Sequence, residues 1–177
     1  MNRIELAKKI HSISYITGEF KLRSGQISNE YFDKYLFEGQ PVVLKAIAEE
    51  MLSRIPAGVD ALAGLEMGGI PIVTVLSQVS GIPAVFVRKK AKEYGTCKLA
   101  EGEEIAYQRL LVVEDVVTSG GQILLSAADL RERNAIVEDV LCVIDREAGG
   151  SENLVKEGLR LDSLYTMSEL KTLAKAK

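Results

Sequence analysis

Residues 110–122 read LLVVEDVVTSGGQ, and this stretch decides the fold. Four apolar residues, Leu110–Val113, lead directly into two acids, Glu114 and Asp115. A short β-branched run of this kind is typical of a strand that is buried on both faces. Residues 118–121, Thr-Ser-Gly-Gly, come next, and an apolar run with helical spacing follows them. Because open α/β sheets bind ligands at the carboxyl ends of their strands, the acids are expected at a binding site.

The polar residues of this stretch indicate the kind of ligand. The carboxylates of Glu114 and Asp115 can accept hydrogen bonds from hydroxyl groups. Residues 118–121 supply two hydroxyls and two glycines at a helix N-terminus, where backbone N–H groups bind anions. Acceptors and an anion site a few residues apart favour a phosphorylated sugar. The sequence contains neither GxxxxGK[ST] nor GxGxxG after a strand, which excludes the common nucleotide-binding motifs.

The rest of the chain alternates between short apolar runs and amphipathic helical patterns. Strands are expected at 20–22, 31–33, 61–65, 84–87, 109–113, 136–144 and 159–166, and helices at 2–17, 41–54, 68–81, 121–134 and 167–176. This alternation predicts an α/β fold with a mostly parallel central sheet flanked by helices. Residues 1–177 contain no internal repeat or low-complexity linker, so a single domain is expected.

The polar stretch at 88–108 separates two of these strands. Loops of about twenty residues are uncommon in compact domains and usually act as lids or binding loops. The first half of the stretch is cationic, with Arg88, Lys89, Lys90 and Lys92. Such a run alone is more often a solvated surface, but beside a phosphate site it can close over a polyanion and exclude water.

Composition and charge exclude several other classes of protein. The net charge of −3 provides no basic surface for nucleic acid, so no nucleic-acid partner is expected. Residues 67–87 carry no charge, but the Ser-Gly-Ile-Pro sequence divides them into a helix and a strand, so no membrane span is expected. Cys97 and Cys142 are expected to be unpaired thiols in a reducing, cytoplasmic protein. The only histidine, His11, is assigned no role.

The order of apolar strand, two acids, two valines and Thr-Ser-Gly-Gly resembles the phosphoribosyl-pyrophosphate (PRPP) signature of the type I phosphoribosyltransferases. Five segments in the same order resemble orotate phosphoribosyltransferase: 20–33, 64–72, 86–95, 112–122 and 143–150. The resemblance implies the type I phosphoribosyltransferase fold, with a small hood formed by residues 1–40 and part of the C-terminus. It also implies transfer of the 5-phosphoribosyl group from PRPP to orotate, which yields orotidine 5′-monophosphate and pyrophosphate in pyrimidine biosynthesis.

The same resemblance assigns roles to individual residues. It implies catalytic roles for Lys89, Glu114 and Asp115, with the two acids on the ribose hydroxyls and Lys89 on the departing pyrophosphate. The implied PRPP-binding set is Arg88, Lys89, Lys92, Glu114, Asp115, Val116, Val117, Thr118, Ser119, Gly120, Gly121 and Gln122. Arg146 and Thr118 are the implied orotate contacts, since a guanidinium pairs two-pronged with a carboxylate.

The resemblance further implies a magnesium ion and a second subunit. Mg²⁺ is expected on PRPP oxygens and water, without a dedicated set of protein ligands. A homodimer is implied, in which the loop at 88–102 of each subunit acts in the site of its neighbour. The chain departs from several members of the family at three positions: Gly68 replaces a lysine, Tyr94 a histidine and Arg23 a lysine.

Two alternatives to this interpretation differ in substrate or in class. The first is a phosphoribosyltransferase that acts on another base, against which Arg146 and the segment at 20–28 argue. The second is a PRPP-binding regulator with the same fold and no catalysis. The acidic net charge and the complete set of Arg88, Lys89, Lys92 and the acidic pair argue against the second.

Overall fold

The computed structural model describes residues 1–21, 25, 27–92, 95 and 97–176. In chain order the elements are α1 (Arg3–Ser14), β1 (Tyr15–Lys21), β2 (Ile27–Phe32), α2 (Lys34–Glu38), α3 (Pro41–Met51), β3 (Ala61–Leu65), α4 (Gly69–Ser80), β4 (Ala84–Val87), β5 (Ala100–Gly102), β6 (Arg109–Val117), α5 (Gly121–Arg131), β7 (Ile136–Asp145), α6 (Gly150–Lys156), β8 (Arg160–Thr166) and α7 (Met167–Lys175). A single 3₁₀ turn, Leu52–Arg54, follows α3.

The main sheet of the described residues has six strands in the order β5-β4-β3-β6-β7-β8. All neighbours are parallel except β5, which runs antiparallel to β4. The chain passes outward from β3 to β4 on one side and from β6 to β7 on the other. The strand order therefore reverses between β3 and β6, and a crevice for ligands is expected at the carboxyl ends of these two strands.

Helices cover both faces of the sheet, and alternating side chains fill the two layers. Leu111 and Val113 pack with the apolar residues of α1, α3, α4 and α7. Leu110 and Val112 point to the opposite face, where they pack with residues of α5 and α6. This alternation follows from the two-residue period of a strand. The predicted α/β architecture is confirmed.

Two glycines bring the start of α4 close to β6. A Cβ atom on Gly64 would lie 2.4 Å from Val73 Cγ1, and one on Gly69 would lie 2.3 Å from the carbonyl oxygen of Val113. No side chain fits at either position, because real Cβ atoms do not approach other heavy atoms so closely. The close approach places the turn between β3 and α4 beside the end of β6.

The amino-terminal hairpin differs from its prediction. Helix α1 ends at Ser14 instead of continuing to residue 17, because Tyr15 begins a strand that pairs antiparallel with β2. The aromatic and β-branched residues Tyr15-Ile-Thr favour a strand over a helix. The predicted turn between the two strands, including Arg23, lies mostly outside the described residues.

Three short elements and one strand end were not predicted. Helices α2 and α6 and strand β5 are too short to give a clear periodic signal. The stretch at 88–108 is therefore not one long loop, since Val87 pairs with Ala100 in β5. Strand β6 continues four residues beyond the predicted end at Val113, because its pairing with β7 extends to Val117 and Asp145.

Both cysteines are free thiols, with Cys97 exposed and Cys142 buried. Within the described ranges, none of the helices is both long and apolar enough to cross a membrane.

Candidate active site

A cleft with a volume of about 330 Å³ opens at the carboxyl ends of β3 and β6. Its walls come from α2, from the turn between β3 and α4, from Lys89 after β4, and from the end of β6 with the following turn. The lining residues are Lys34, Tyr35, Glu66, Met67, Gly68, Lys89, Glu114, Val116, Val117, Thr118, Ser119, Gly120, Gly121, Gln122 and Ile123. The structure thus brings most of the predicted PRPP-binding residues into one space.

The turn at 118–121 forms one end of the cleft and is fixed from behind by α6. Gly120 has φ +76°, a left-handed conformation that favours glycine, and no side chain caps the first N–H groups of α5. Asn153 Nδ2 donates a hydrogen bond of 3.1 Å to the Ser119 carbonyl. A Cβ on Gly150 would lie 2.7 Å from the Thr118 carbonyl oxygen, so α6 packs directly against the turn. The uncapped N–H groups at this helix N-terminus can bind an anion.

Glu114 presents its carboxyl group to the cleft and is partly buried. Its Oε2 accepts a hydrogen bond of 3.1 Å from the backbone N–H of Asp115. Burial, followed by the negative charge of Asp115, raises the pKa of Glu114 to about 8. Both causes favour the neutral form of the carboxyl group over the charged form.

Asp115 is fully buried and does not line the cleft. Its Oδ2 lies 2.5 Å from Lys34 Nζ, which is an ion pair without the alignment of a hydrogen bond. Its Oδ1 accepts a hydrogen bond of 2.5 Å from the backbone N–H of Val116. Asp115 is thus set back from the cleft surface that Glu114 lines, although its charge still acts on the Glu114 carboxyl group. A direct contact of Asp115 with a ribose hydroxyl therefore stays a prediction, and it requires the side chain to move.

The three predicted loop cations occupy different surroundings. Lys89 is exposed and lines the cleft, and its backbone N–H donates a hydrogen bond of 2.6 Å to Glu66 Oε1. Arg88 and Lys92 both pair with Glu101 of β5, with Arg88 Nε at 3.5 Å from Glu101 Oε1. Only Lys89 of the three therefore faces the cleft in this structure. Tyr94 lies outside the described residues.

Arg146 is exposed and lines a second cavity, with a volume of about 160 Å³. Its backbone N–H donates a hydrogen bond of 2.9 Å to the Val117 carbonyl, which fixes Arg146 beside the end of β6. The cavity is also lined by Tyr15, Ser28, Glu30, Tyr31, Phe32, Met167 and Lys171. The neighbouring Glu147 accepts hydrogen bonds from Ser168, and Arg146 forms no ion pair with any described residue. Its guanidinium group is available to an acidic ligand.

Several residues of these two cavities were not identified from the sequence. Lys34 and Glu66 line the cleft, and Tyr31 and Phe32 line the cavity of Arg146. Lys34 follows directly on the resembling segment at 20–33, which was the one available signal. The pairing of Lys34 with Asp115 joins residues that are 81 positions apart and cannot be read from local sequence.

The sequence profile of the phosphoribosyl transferase domain matches residues 37–162 of this chain. The chain is 49% identical over 165 residues to an orotate phosphoribosyltransferase of Nocardioides sp., covering 93% of this chain and 92% of the relative.

Solved structures of the same enzyme class are also similar. The orotate phosphoribosyltransferase of Mycobacterium tuberculosis H37Rv in complex with Fe(III) dicitrate superposes with a TM-score of 0.84 at 31% identity, covering 95% of this chain and 98% of that chain. The same enzyme in complex with PRPP gives a TM-score of 0.82 at 29% identity, covering 96% of this chain and 98% of that chain.

Proposed function

Because the chain belongs to the orotate phosphoribosyltransferase family, we propose that it transfers the 5-phosphoribosyl group of PRPP to orotate. The products are orotidine 5′-monophosphate and pyrophosphate, as a step of pyrimidine biosynthesis. The observation that carries the proposal is the cleft between β3 and β6, where Glu114, Lys89 and the 118–122 turn face one space. Arg146 stands at the adjacent end of β7.

The 118–122 turn is proposed to hold the 5′-phosphate of PRPP. Backbone N–H groups at the start of α5 and the hydroxyls of Thr118 and Ser119 are the donors, and Gly120 and Gly121 leave room for the phosphate. The helix dipole adds only about 0.3–1 kcal/mol, so aimed hydrogen bonds must supply most of the affinity. The packing of α6 against the turn supports this role, because a turn that is held in place loses little entropy on binding.

The acidic pair is proposed to act on the ribose. Glu114 accepts a hydrogen bond from a ribose hydroxyl in the cleft, and Asp115 contributes negative charge from behind it. As the bond from C1 to the pyrophosphate oxygen breaks, positive charge develops on the sugar. A carboxylate at about 4 Å from such a charge contributes about 4 kcal/mol at an effective dielectric constant of 20. Stabilisation that grows as the bond breaks increases turnover.

The loop cations are proposed to receive the departing pyrophosphate. Lys89 faces the cleft and is the proposed catalytic cation. Arg88 and Lys92 would exchange Glu101 for the diphosphate, since a polyanion attracts two cations more strongly than one carboxylate does. We further propose that the chain forms a homodimer, in which the loop at 88–102 of each subunit serves the neighbouring site.

Arg146 and Thr118 are proposed to bind orotate. The guanidinium group of Arg146 would pair with the orotate carboxylate, and Thr118 at the end of the PRPP cleft would contact both substrates. Tyr31 and Phe32 in the cavity of Arg146 offer aromatic surface to the flat pyrimidine ring. A ring nitrogen of orotate then forms the new bond to C1 of the ribose.

Magnesium is proposed to enter with PRPP. In the described ranges, no group of three or more His, Cys, Asp or Glu residues could hold a metal ion, which favours an ion carried by substrate oxygens and water. When bound, the ion neutralises charge on the diphosphate. We also propose that residues 1–40 and the C-terminal helix form a hood over the site, and that the protein acts in the cytoplasm, where Cys97 stays reduced.

A spectrophotometric assay of orotate consumption tests this function. With PRPP and Mg²⁺ present, orotate should disappear and orotidine 5′-monophosphate and pyrophosphate should form in equal amounts. Hypoxanthine, adenine and uracil serve as control bases. Consumption of PRPP with one of these bases and not with orotate would contradict the assignment, and PRPP binding without any turnover would favour the regulator instead.

A further inference from the structure

Lys34 pairs with Asp115 of the acidic pair and lines the same cleft as the phosphate turn. It is the first residue of α2, and Asp33, which directly precedes the helix, caps it by accepting a hydrogen bond from the Tyr35 N–H with its side chain. This cap directs the start of the helix toward β6. Lys34 Nζ then reaches Oδ2 of Asp115 at 2.5 Å, and the Lys34 side chain also lines the cleft with one third of its surface exposed.

Asp115 lies in a niche that depends on the absence of a side chain at Gly68. A Cβ atom on Gly68 would lie 1.5 Å from Asp115 Oδ2 and 2.3 Å from its Cγ. The carboxylate therefore occupies the place that a side chain at position 68 would need. Gly68 and Lys34 together define where the Asp115 carboxylate rests.

Among the described residues, three carboxyl groups lie around Lys34, the cation that pairs with Asp115. Burial, followed by the charge of Asp115, raises the pKa of Glu38 to about 9, as it raises the pKa of Glu114 to about 8. The charge of Lys34 lowers the pKa of both glutamates and so opposes this effect. Burial alone would lower the pKa of Lys34, but the contact with Asp115 raises it overall. The other titratable groups that face this cluster or the cleft beside it are Tyr35, Glu66, Lys89, Cys142 and Asp145.

We propose that Lys34 is a positioning residue for the ribose site, which holds the Asp115 carboxylate in the niche over Gly68 and, through this contact, acts on the neighbouring Glu114. The inference rests on the proposed function, because it assigns to the acidic pair a partner on α2. The positive charge of Lys34 opposes the rise in the pKa of Glu114, so its removal should raise that pKa further. Loss of Lys34 should therefore move the ionisation of Glu114 to higher pH.

The test compares Lys34→Met, which removes the charge at similar volume, with Lys34→Arg, which keeps it. The acid limb of the pH profile of kcat/KM for PRPP should move to higher pH in Lys34→Met, by about one unit or more. The loss of activity should therefore shrink as the pH is raised. Lys34→Arg should keep the limb close to that of the wild type. The control is Lys45→Met on α3, since the one ion pair of Lys45 with a described residue is that with the exposed Glu49 at 3.7 Å.

A second readout is independent of activity. In protein labelled with ¹³C at the glutamate carboxyl carbons, the Glu114 resonance is assigned by its loss in Glu114→Gln. Its titration midpoint should rise in Lys34→Met and stay near the wild-type value in Lys34→Arg. Equal midpoints in the wild type and Lys34→Met, or a loss of activity that is the same at every pH, would overturn the proposal.

A measurement on the wild type covers the case in which Lys34→Met does not fold. The pH dependence of acetic anhydride acylation, followed by mass spectrometry, should give Lys34 a midpoint above the ordinary lysine value of 10.5. A midpoint at or below 10.5 would overturn the proposal. Failure of the proposed function would look different, since the wild type itself would then not consume orotate.

Discussion

Replacement of Glu38 by glutamine should change how the stability of the protein depends on pH. Glu38 is 7% exposed, and its Oε1 has no hydrogen-bond partner among the described residues. Burial and the neighbouring Asp115 raise its pKa from 4.5 in a model peptide to about 9 in the folded chain. A carboxyl group whose pKa rises on folding favours the folded state at low pH. That contribution is fully present below 4.5 and is lost as the pH rises from 4.5 to about 9.

The size of the effect follows from the proton that the folded state retains. Between the two pKa values, each pH unit lowers the free energy of unfolding by about 1.4 kcal/mol through this one group. Between pH 5 and pH 7 the loss is therefore about 3 kcal/mol. Because glutamine carries no titrating proton, this decrease in the free energy of unfolding is absent from the variant. The free energy of unfolding of Glu38→Gln, relative to that of the wild type, should accordingly rise by about 3 kcal/mol from pH 5 to pH 7.

Urea unfolding of both proteins at pH 5 and pH 7 measures this difference. Glu114 has a raised pKa of the same origin, but it is present in both proteins and cancels in the comparison. Glu49→Gln on α3 is the matched control, because half of the Glu49 side chain is exposed and the variant should show no such gain. An equal difference between Glu38→Gln and wild type at the two pH values would refute the reasoning, since Glu38 would then be ionised in the folded protein.

Three further substitutions test the site and the packing behind it. Lys89→Ala should lower turnover by about 10²–10³-fold with little effect on folding, as expected for the loss of one transition-state donor. Lys90→Ala is the control, because Lys90 is exposed, and its turnover should stay close to that of the wild type. Equal turnover in the two variants would remove Lys89 from the mechanism. Arg146→Ala should raise the KM for orotate by about 10–100-fold, since a hydrogen bond to a charged group contributes about 1.5–3 kcal/mol. The KM for PRPP should stay close to the wild-type value. An equal rise in both KM values would indicate a structural role for Arg146. Gly64→Ala places a Cβ 2.4 Å from Val73 Cγ1 and should lower the free energy of unfolding, measured by urea denaturation, by about 1–3 kcal/mol. An unchanged free energy of unfolding would show that β3 and α4 can move apart without cost.

The sequence was sufficient for the parallel strands of the central sheet and for the phosphate turn. The apolar runs at 61–65, 84–87 and 109–113 are buried strands, because continuous apolar residues can be satisfied only between two layers of helices. The Thr-Ser-Gly-Gly segment predicts a turn before a helix from local chemistry alone. Local patterns of this kind are set by neighbouring residues, and for that reason they can be read in advance.

The position of the Asp115 side chain could not be read from the sequence. The Glu-Asp pair suggests two equivalent acids, but only Glu114 lines the cleft, whereas Asp115 is fully buried. The final position of Asp115 depends on Lys34 and on the empty volume over Gly68, which are distant in sequence. Strand β5 was missed for a similar reason, since Ala-Glu-Gly forms a strand only because β4 offers it a free edge.

The central claim is that the cleft between β3 and β6 holds a phosphorylated ribose. A crystal structure of the protein with PRPP and Mg²⁺ tests it most directly. The 5′-phosphate should lie at about 3 Å from the backbone nitrogens of the 118–122 turn, with a ribose hydroxyl within hydrogen-bond distance of Glu114. A phosphate bound elsewhere, such as in the cavity of Arg146 and Lys171, with the 118–122 turn empty, would contradict the account.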